Sequence, residues 1–106
     1  MSLLLLASLA SAADPANGKT LYSASCTACH GAKGDGKGPA AVALKPKPPD
    51  FTQAAWWATK TDDQVTVSIR AGRPGTPMAA FTEFSDAEVA DVIAYLRTFS
   101  TTPATP

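Results

Sequence analysis

Cys26-Thr27-Ala28-Cys29-His30 contains both cysteines and the only histidine of the 106-residue chain. In a C-x-x-C-H pentapeptide the two thiols can add across the two vinyl groups of one haem, and the histidine offers an imidazole nitrogen to its iron. On a helix, Cys26 and His30 share a face, while Cys29 lies round the turn within reach of the second vinyl. Other uses of the pair fit less well. A thioredoxin-like dithiol needs a preceding strand in a βαβ unit, but no β-rich run leads in and a glycine-rich loop follows. Zinc takes four ligands as a rule, and no further Cys or His exists to complete the set. A Cys26–Cys29 disulfide would close too small a loop to stabilise much.

On the N-terminal side, Asp14-Pro15 reads as a helix start, with an aspartate N-cap and proline at the first helical position. That helix should run through Leu21 and Tyr22 towards the cysteines. Gly18 and Tyr22 fall on one face. A mid-helix glycine costs about 1 kcal/mol against alanine, so Gly18 predicts close approach of another element. Ahead of this helix, residues 1–12 read as a secretory signal. Leu3 to Ala7 is apolar, Ala10-Ser11-Ala12 fits the small-residue cleavage pattern, and Ala13 becomes the new N-terminus. A positive n-region is lacking. The apolar run is much shorter than the ~20 residues that span a bilayer.

On the C-terminal side, Gly31 to Pro39 carries four glycines in nine residues, which excludes a regular helix. The P-loop order is absent and no strand precedes it; glycine here would let the backbone approach a haem edge. Ala40 to Leu44 predicts a helical turn. Lys45-Pro46-Lys47-Pro48-Pro49 predicts an extended strap, ending at Asp50-Phe51-Thr52. Phe51 and one of Trp56 and Trp57 are expected to pack on the cofactor, although aromatic core serves each residue equally well.

Thr61-Asp62-Asp63-Gln64 is a capping box opening a helix with Val65 and Ile69 inside, stopped by Gly72. Ser85-Asp86-Ala87-Glu88 opens the strongest helix, with Val89, Val92, Ile93 and Leu96 in helical periodicity. Tyr95 is placed to meet the first helix near Gly18. Between these helices lies Arg73-Pro74-Gly75-Thr76-Pro77-Met78, a loop rich in turn formers. Residues 100–106 predict a flexible Thr/Pro tail. The core domain is thus 13–99, all-α, with no internal repeat.

Formal net charge is zero, which argues against a nucleic-acid partner. The distribution is uneven: residues 14–60 carry six lysines against three aspartates, and the remainder three arginines against six carboxylates. Lys33, Lys37, Lys45 and Lys47 flank the inferred cofactor edge and either steer an acidic partner or are simply solvated.

The attachment motif, the Pro-Met loop and the helix-pair glycine together resemble the class I c-type cytochromes over almost the whole mature chain. The resemblance implies three main helices wrapped around one haem c, covalent through Cys26 and Cys29. It implies axial ligation by His30 and Met78, a Pro39 carbonyl accepting the histidine's free N–H, and an indole N–H of Trp56 or Trp57 reaching a propionate. The implied function is single-electron transfer without catalysis, in a monomer exported to the periplasm or an equivalent space. It would meet redox proteins, acidic-surfaced or in membrane complexes, transiently. Two other classes remain open. A peroxidase-type enzyme would need a labile sixth site and a distal acid–base group, and no second histidine exists. A haem-based sensor, or an electron-entry subunit of a larger oxidoreductase, would share the motif; a methionine–iron absorption band in the ferric state discriminates the carrier from sensor and enzyme.

Overall fold

The computed structural model describes residues 12–100, all-α, with no strand among them. The helices are α1 (Pro15–Ser25), α2 (Thr27–His30), α3 (Ala54–Ala58), α4 (Asp62–Ala71) and α5 (Asp86–Thr98), with a 3-10 turn at Ala41–Ala43. The expected signal and tail lie outside the described residues, apart from Ala12 and Ser100. Ser100 closes the last turn: its N–H and hydroxyl both donate to the Arg97 carbonyl at 3.3 Å.

The caps explain where the long helices begin. Asp14 accepts the Ala16 N–H at 2.9 Å ahead of Pro15. At α4, Gln64 N–H donates to the Thr61 hydroxyl (3.1 Å) and Thr61 N–H to the Gln64 side chain (2.8 Å). Ser85 and Glu88 repeat this reciprocal pair at α5, at 3.1 and 2.8 Å. Each box satisfies two N–H groups that a helix start otherwise leaves unpaired. The sequence reading had no helix at α3. Its five residues have no side-chain cap, so little local signal marks it.

α1 crosses α5 at Gly18, and the α1 ring of Tyr22 meets Tyr95 edge-on at 5.3 Å between centroids. Phe99 completes that cluster, 5.4 Å from Tyr22 and 5.0 Å from Tyr95. Asp91 of α5 ties down the start of α1, accepting the Asp14 N–H at 2.7 Å and the Asn17 amide at 2.9 Å. α4 lies antiparallel on α5 and is pinned at both ends. Arg70 pairs with Asp86, while Arg97 donates twice to Asp62, at 2.5 and 2.8 Å. Arg97 also sits 4.6 Å over the Trp57 ring. Val65, Ile69, Val89, Val92, Ile93 and Leu96 are buried between the helices, in one cluster with Tyr22, Phe51 and Trp57.

The glycines of the loop make room for protein neighbours, and two of them for backbone. A Cβ at Gly38 would lie 2.3 Å from the Ala28 carbonyl oxygen, and one at Gly36 2.7 Å from that of Pro48. Phe51 N–H donates to the Gly34 carbonyl at 2.7 Å, so loop and strap are fastened together. The strap bends at Lys45 and Pro46, whose peptide bond is cis, and is not a continuous polyproline helix. Asp50 ends it, accepting the Thr52 N–H and hydroxyl at 2.9 and 2.5 Å; chiefly that hydroxyl bond holds its carboxyl below the usual range.

Candidate functional site

Cys26 is the joint between two helices. It is the C-cap of α1, its N–H donating to the Tyr22 carbonyl at 2.8 Å, and the N-cap of α2. His30 N–H then returns to the Cys26 carbonyl at 3.0 Å. This is the i to i−4 bond that puts Cys26 and His30 on one helix face. Gly31, at φ +87°, ends the turn with its N–H on the Thr27 carbonyl at 2.9 Å.

Both thiols are half-buried and unpaired. Burial, with Cys29 adding, pushes the Cys26 thiol up to about 11, so it is held protonated at neutral pH. Burial lowers the His30 pKa, favouring the neutral imidazole that a metal requires. The His30 Nδ1 is buried and has no hydrogen-bond partner. Leaving such a nitrogen unsatisfied costs about 1–3 kcal/mol, and nearly all buried polar groups find a partner. The His30 ring stacks on Phe51, 4.9 Å between centroids and 22° between planes. Among the described residues no three His, Cys, Asp or Glu side chains group as a metal site. An orphaned imidazole nitrogen, two free thiols on the same turn and aromatic neighbours fit a haem fastened to the chain and ligated by its one histidine.

Met78 is half-buried against the core cluster that Cys26 and Trp56 also touch. Its loop is tightly bonded. Arg73 N–H donates to the Met78 carbonyl (3.1 Å), and Met78 N–H to the Thr76 hydroxyl (3.1 Å). Thr76 in turn donates to the Arg73 carbonyl from N–H and hydroxyl, at 3.0 and 2.7 Å. Gly72, at φ +71°, makes the return possible, since a Cβ there would lie 2.7 Å from the Met78 carbonyl oxygen.

The two tryptophans have different roles. Trp57 is buried and donates its indole N–H to the Phe51 carbonyl at 2.8 Å, so that donor is occupied. Trp56 is half-buried, finds no acceptor for its indole among the described residues, and lies 5.8 Å beneath the Lys60 ammonium. Pro39 is exposed and makes no hydrogen bond to either His30 ring nitrogen. Its neighbours are tied to α2 instead, Gly38 N–H to the Cys29 carbonyl (3.2 Å) and Ala40 N–H to that of Ala28 (2.8 Å).

Sequence reasoning missed the Tyr22 hydroxyl, which donates to the Gly31 carbonyl at 2.5 Å. Burial above all, then Cys26, Tyr95 and Asp35, raises the Tyr22 pKa above the ordinary tyrosine range. The available signal was its position one helical turn before Cys26. Lys33, Lys37, Lys45 and Lys47 are all exposed and form none of the ion pairs of the described residues. Lys37 and Lys47 flank a shallow hollow beside Val42, which is 80% exposed.

No curated protein matches the chain. Solved structures similar to it include the Kuenenia stuttgartiensis reducing HAO-like protein complex Kustc0457/Kustc0458, at 26% identity and a TM-score of 0.69. That match covers 78% of this chain and 41% of the other, so the chain spans less than half of that relative. A second is the KustC0563 c-type cytochrome, at 28% identity and a TM-score of 0.63, covering 77% of this chain and 95% of that one. The family model described as Cytochrome c matches residues 15–100, and with the attachment turn, the lone imidazole and the three-helix frame in place, the chain belongs to the cytochrome c family, whose work is haem-based electron transfer.

Proposed function

We propose that this protein is a one-electron carrier with a single haem c, held through Cys26 and Cys29 and ligated by His30 and Met78. The buried, unpartnered imidazole of His30 beside two unpaired thiols carries this reading. The haem supplies an iron that cycles between ferrous and ferric states, and the chain tunes it by ligand identity, burial and hydrogen bonding. His30 presents a neutral imidazole from a rigid turn. The family resemblance would give the ring nitrogen that the iron leaves free to the Pro39 carbonyl, a bond that this structure does not contain. Met78 offers a thioether from a loop bonded at both ends, so little ordering is needed to hold it. Two strong axial ligands leave no coordination site for a substrate, which favours a carrier over an enzyme.

Trp56 is the indole left to donate to a propionate, because Trp57 is engaged by the Phe51 carbonyl. The exposed lysines suit brief encounters with an acidic redox partner, over the small polar interfaces typical of electron transfer. Among the described residues no helix is long and apolar enough to cross a membrane. Export to the periplasm, where cytochromes of this family acquire haem, is the setting proposed. A role inside a larger oxidoreductase is the second reading, and one similar structure belongs to a multi-subunit assembly. Acid–acetone extraction tests the first step: the haem should stay on the polypeptide, and its release would refute the thioether links. A methionine–iron band in the ferric spectrum at neutral pH tests the ligand pair.

A further inference from the structure

Tyr22 grips the attachment pentapeptide at both ends. At its start, the Tyr22 carbonyl accepts the Cys26 N–H at 2.8 Å and the Thr27 hydroxyl at 3.2 Å. At its finish, immediately after His30, the Tyr22 phenol donates to the Gly31 carbonyl at 2.5 Å. The ring is 1% exposed and wedged against Tyr95 and Phe99, so the phenol cannot swing elsewhere. The gripped end also organises the following loop. The Gly31 carbonyl accepts the Gly34 N–H at 3.1 Å, and the His30 carbonyl the Gly36 N–H at 2.9 Å.

We propose that Tyr22 is the positioning residue for the histidine ligand, its hydroxyl locking the Cys26–Gly31 turn so that the His30 imidazole meets the iron in one orientation. This rests on the haem reading above. The α1–α5 crossing explains why an aromatic ring lies here, but not why it carries a hydroxyl: phenylalanine would fill the same space. The hydroxyl's bond is spent on the backbone next to the ligand. Fixing the backbone beside the ligand fixes the direction from which its ring meets the metal, an orienting role that partners bonded to the ring itself also play. Loosening the turn should weaken imidazole donation, which stabilises the ferric state more than the ferrous. The potential should therefore rise.

The experiment compares the haem-loaded parent with Tyr22→Phe and with Val92→Ala, a buried α5 change that weakens the shared core without removing a hydrogen bond of the pentapeptide. Midpoint potential, the paramagnetically shifted imidazole resonances of the ferric protein, and amide exchange are measured. Tyr22→Phe should raise the potential, move the imidazole resonances and speed exchange at Gly34 and Gly36 about tenfold. Val92→Ala should lower the melting temperature and leave potential and resonances alone. Tyr22→4-aminophenylalanine, which restores a donor, should bring the potential back towards the parent. An unchanged or lowered potential in Tyr22→Phe, or an equal shift in Val92→Ala, overturns the proposal. If Tyr22→Phe yields no holoprotein, Tyr22→3-fluorotyrosine, a stronger donor in the same space, should lower the potential and move the imidazole resonances; an unchanged potential with unchanged resonances overturns the proposal. A parent without covalent haem would overturn the underlying reading as well, a result distinct from failure of the clamp in a loaded protein.

Discussion

Gly18 faces Asp91 so closely that a Cβ on the glycine would lie 1.9 Å from the Asp91 carbonyl oxygen. It would also lie 3.0 Å from the Tyr95 Cβ. The obstruction is helix backbone, which cannot move aside as a flexible side chain would. The crossing of α1 and α5 therefore depends on a missing methyl group.

Gly18→Ala should destabilise the protein, although alanine is the better helix former by about 1 kcal/mol. Overpacking of this kind costs about 1–3 kcal/mol, and Gly18→Leu should cost at least as much. Each kcal/mol corresponds to about 4–8 °C of melting temperature in a domain this small. A thermal melt of Gly18→Ala that equals or exceeds the parent would show that the helices separate without penalty.

Met78→Ala should open the sixth position, lower the reduction potential and admit carbon monoxide to the ferrous protein. His30 is the only histidine, and lysines must lose a proton before they bind iron, so they compete poorly near neutral pH. A variant that keeps the parent's ferric spectrum and excludes carbon monoxide would assign the sixth ligand elsewhere.

Charge reversal at Lys45 and Lys47 should slow oxidation of the reduced protein by ferricyanide, an anionic acceptor, and flatten the dependence on ionic strength. Exposed charges act within a Debye length of about 10 Å at 0.1 M salt, so the effect should be largest in dilute buffer. The same changes should not slow oxidation by a cationic cobalt complex. Rates indifferent to Lys45→Glu and Lys47→Glu at low salt would leave these lysines merely solvated.

Asp91 should make stability depend on pH below about 4. The Asp14 N–H bond, then the Asn17 amide bond, lowers its carboxyl pKa below the unfolded value. A depressed folded pKa means the stabilisation is complete above the unfolded pKa of about 4 and is lost as pH falls through the folded value. Asp91→Asn should therefore melt lower than the parent at pH 7, with the gap closing in more acidic solution. The carboxylate is near the surface, so the effect should be small and weaken with salt. A gap that stays constant down to pH 2 would mean that the charge contributes nothing.

What the sequence by itself determined was local. The C-x-x-C-H spacing, the two capping boxes, the Asp14-Pro15 start and the α5 periodicity each lie within a few residues. Their consequences follow from helix geometry and from the N–H groups that every helix start must satisfy. Gly18 is intermediate: its cost in a helix announced a close neighbour, and the family resemblance pointed to the last helix as that neighbour. Tertiary structure alone decided which tryptophan keeps a free indole, because that depends on Trp57 reaching the Phe51 carbonyl across the turn into α3. It also decided that Arg97 reaches Asp62, thirty-five residues away in sequence. The Tyr22 hydroxyl belongs here too, since its acceptor is a backbone carbonyl, identical in every residue and visible only once the chain has turned. Spacing within a turn is written in covalent geometry, whereas the partner of a distant donor is settled by packing.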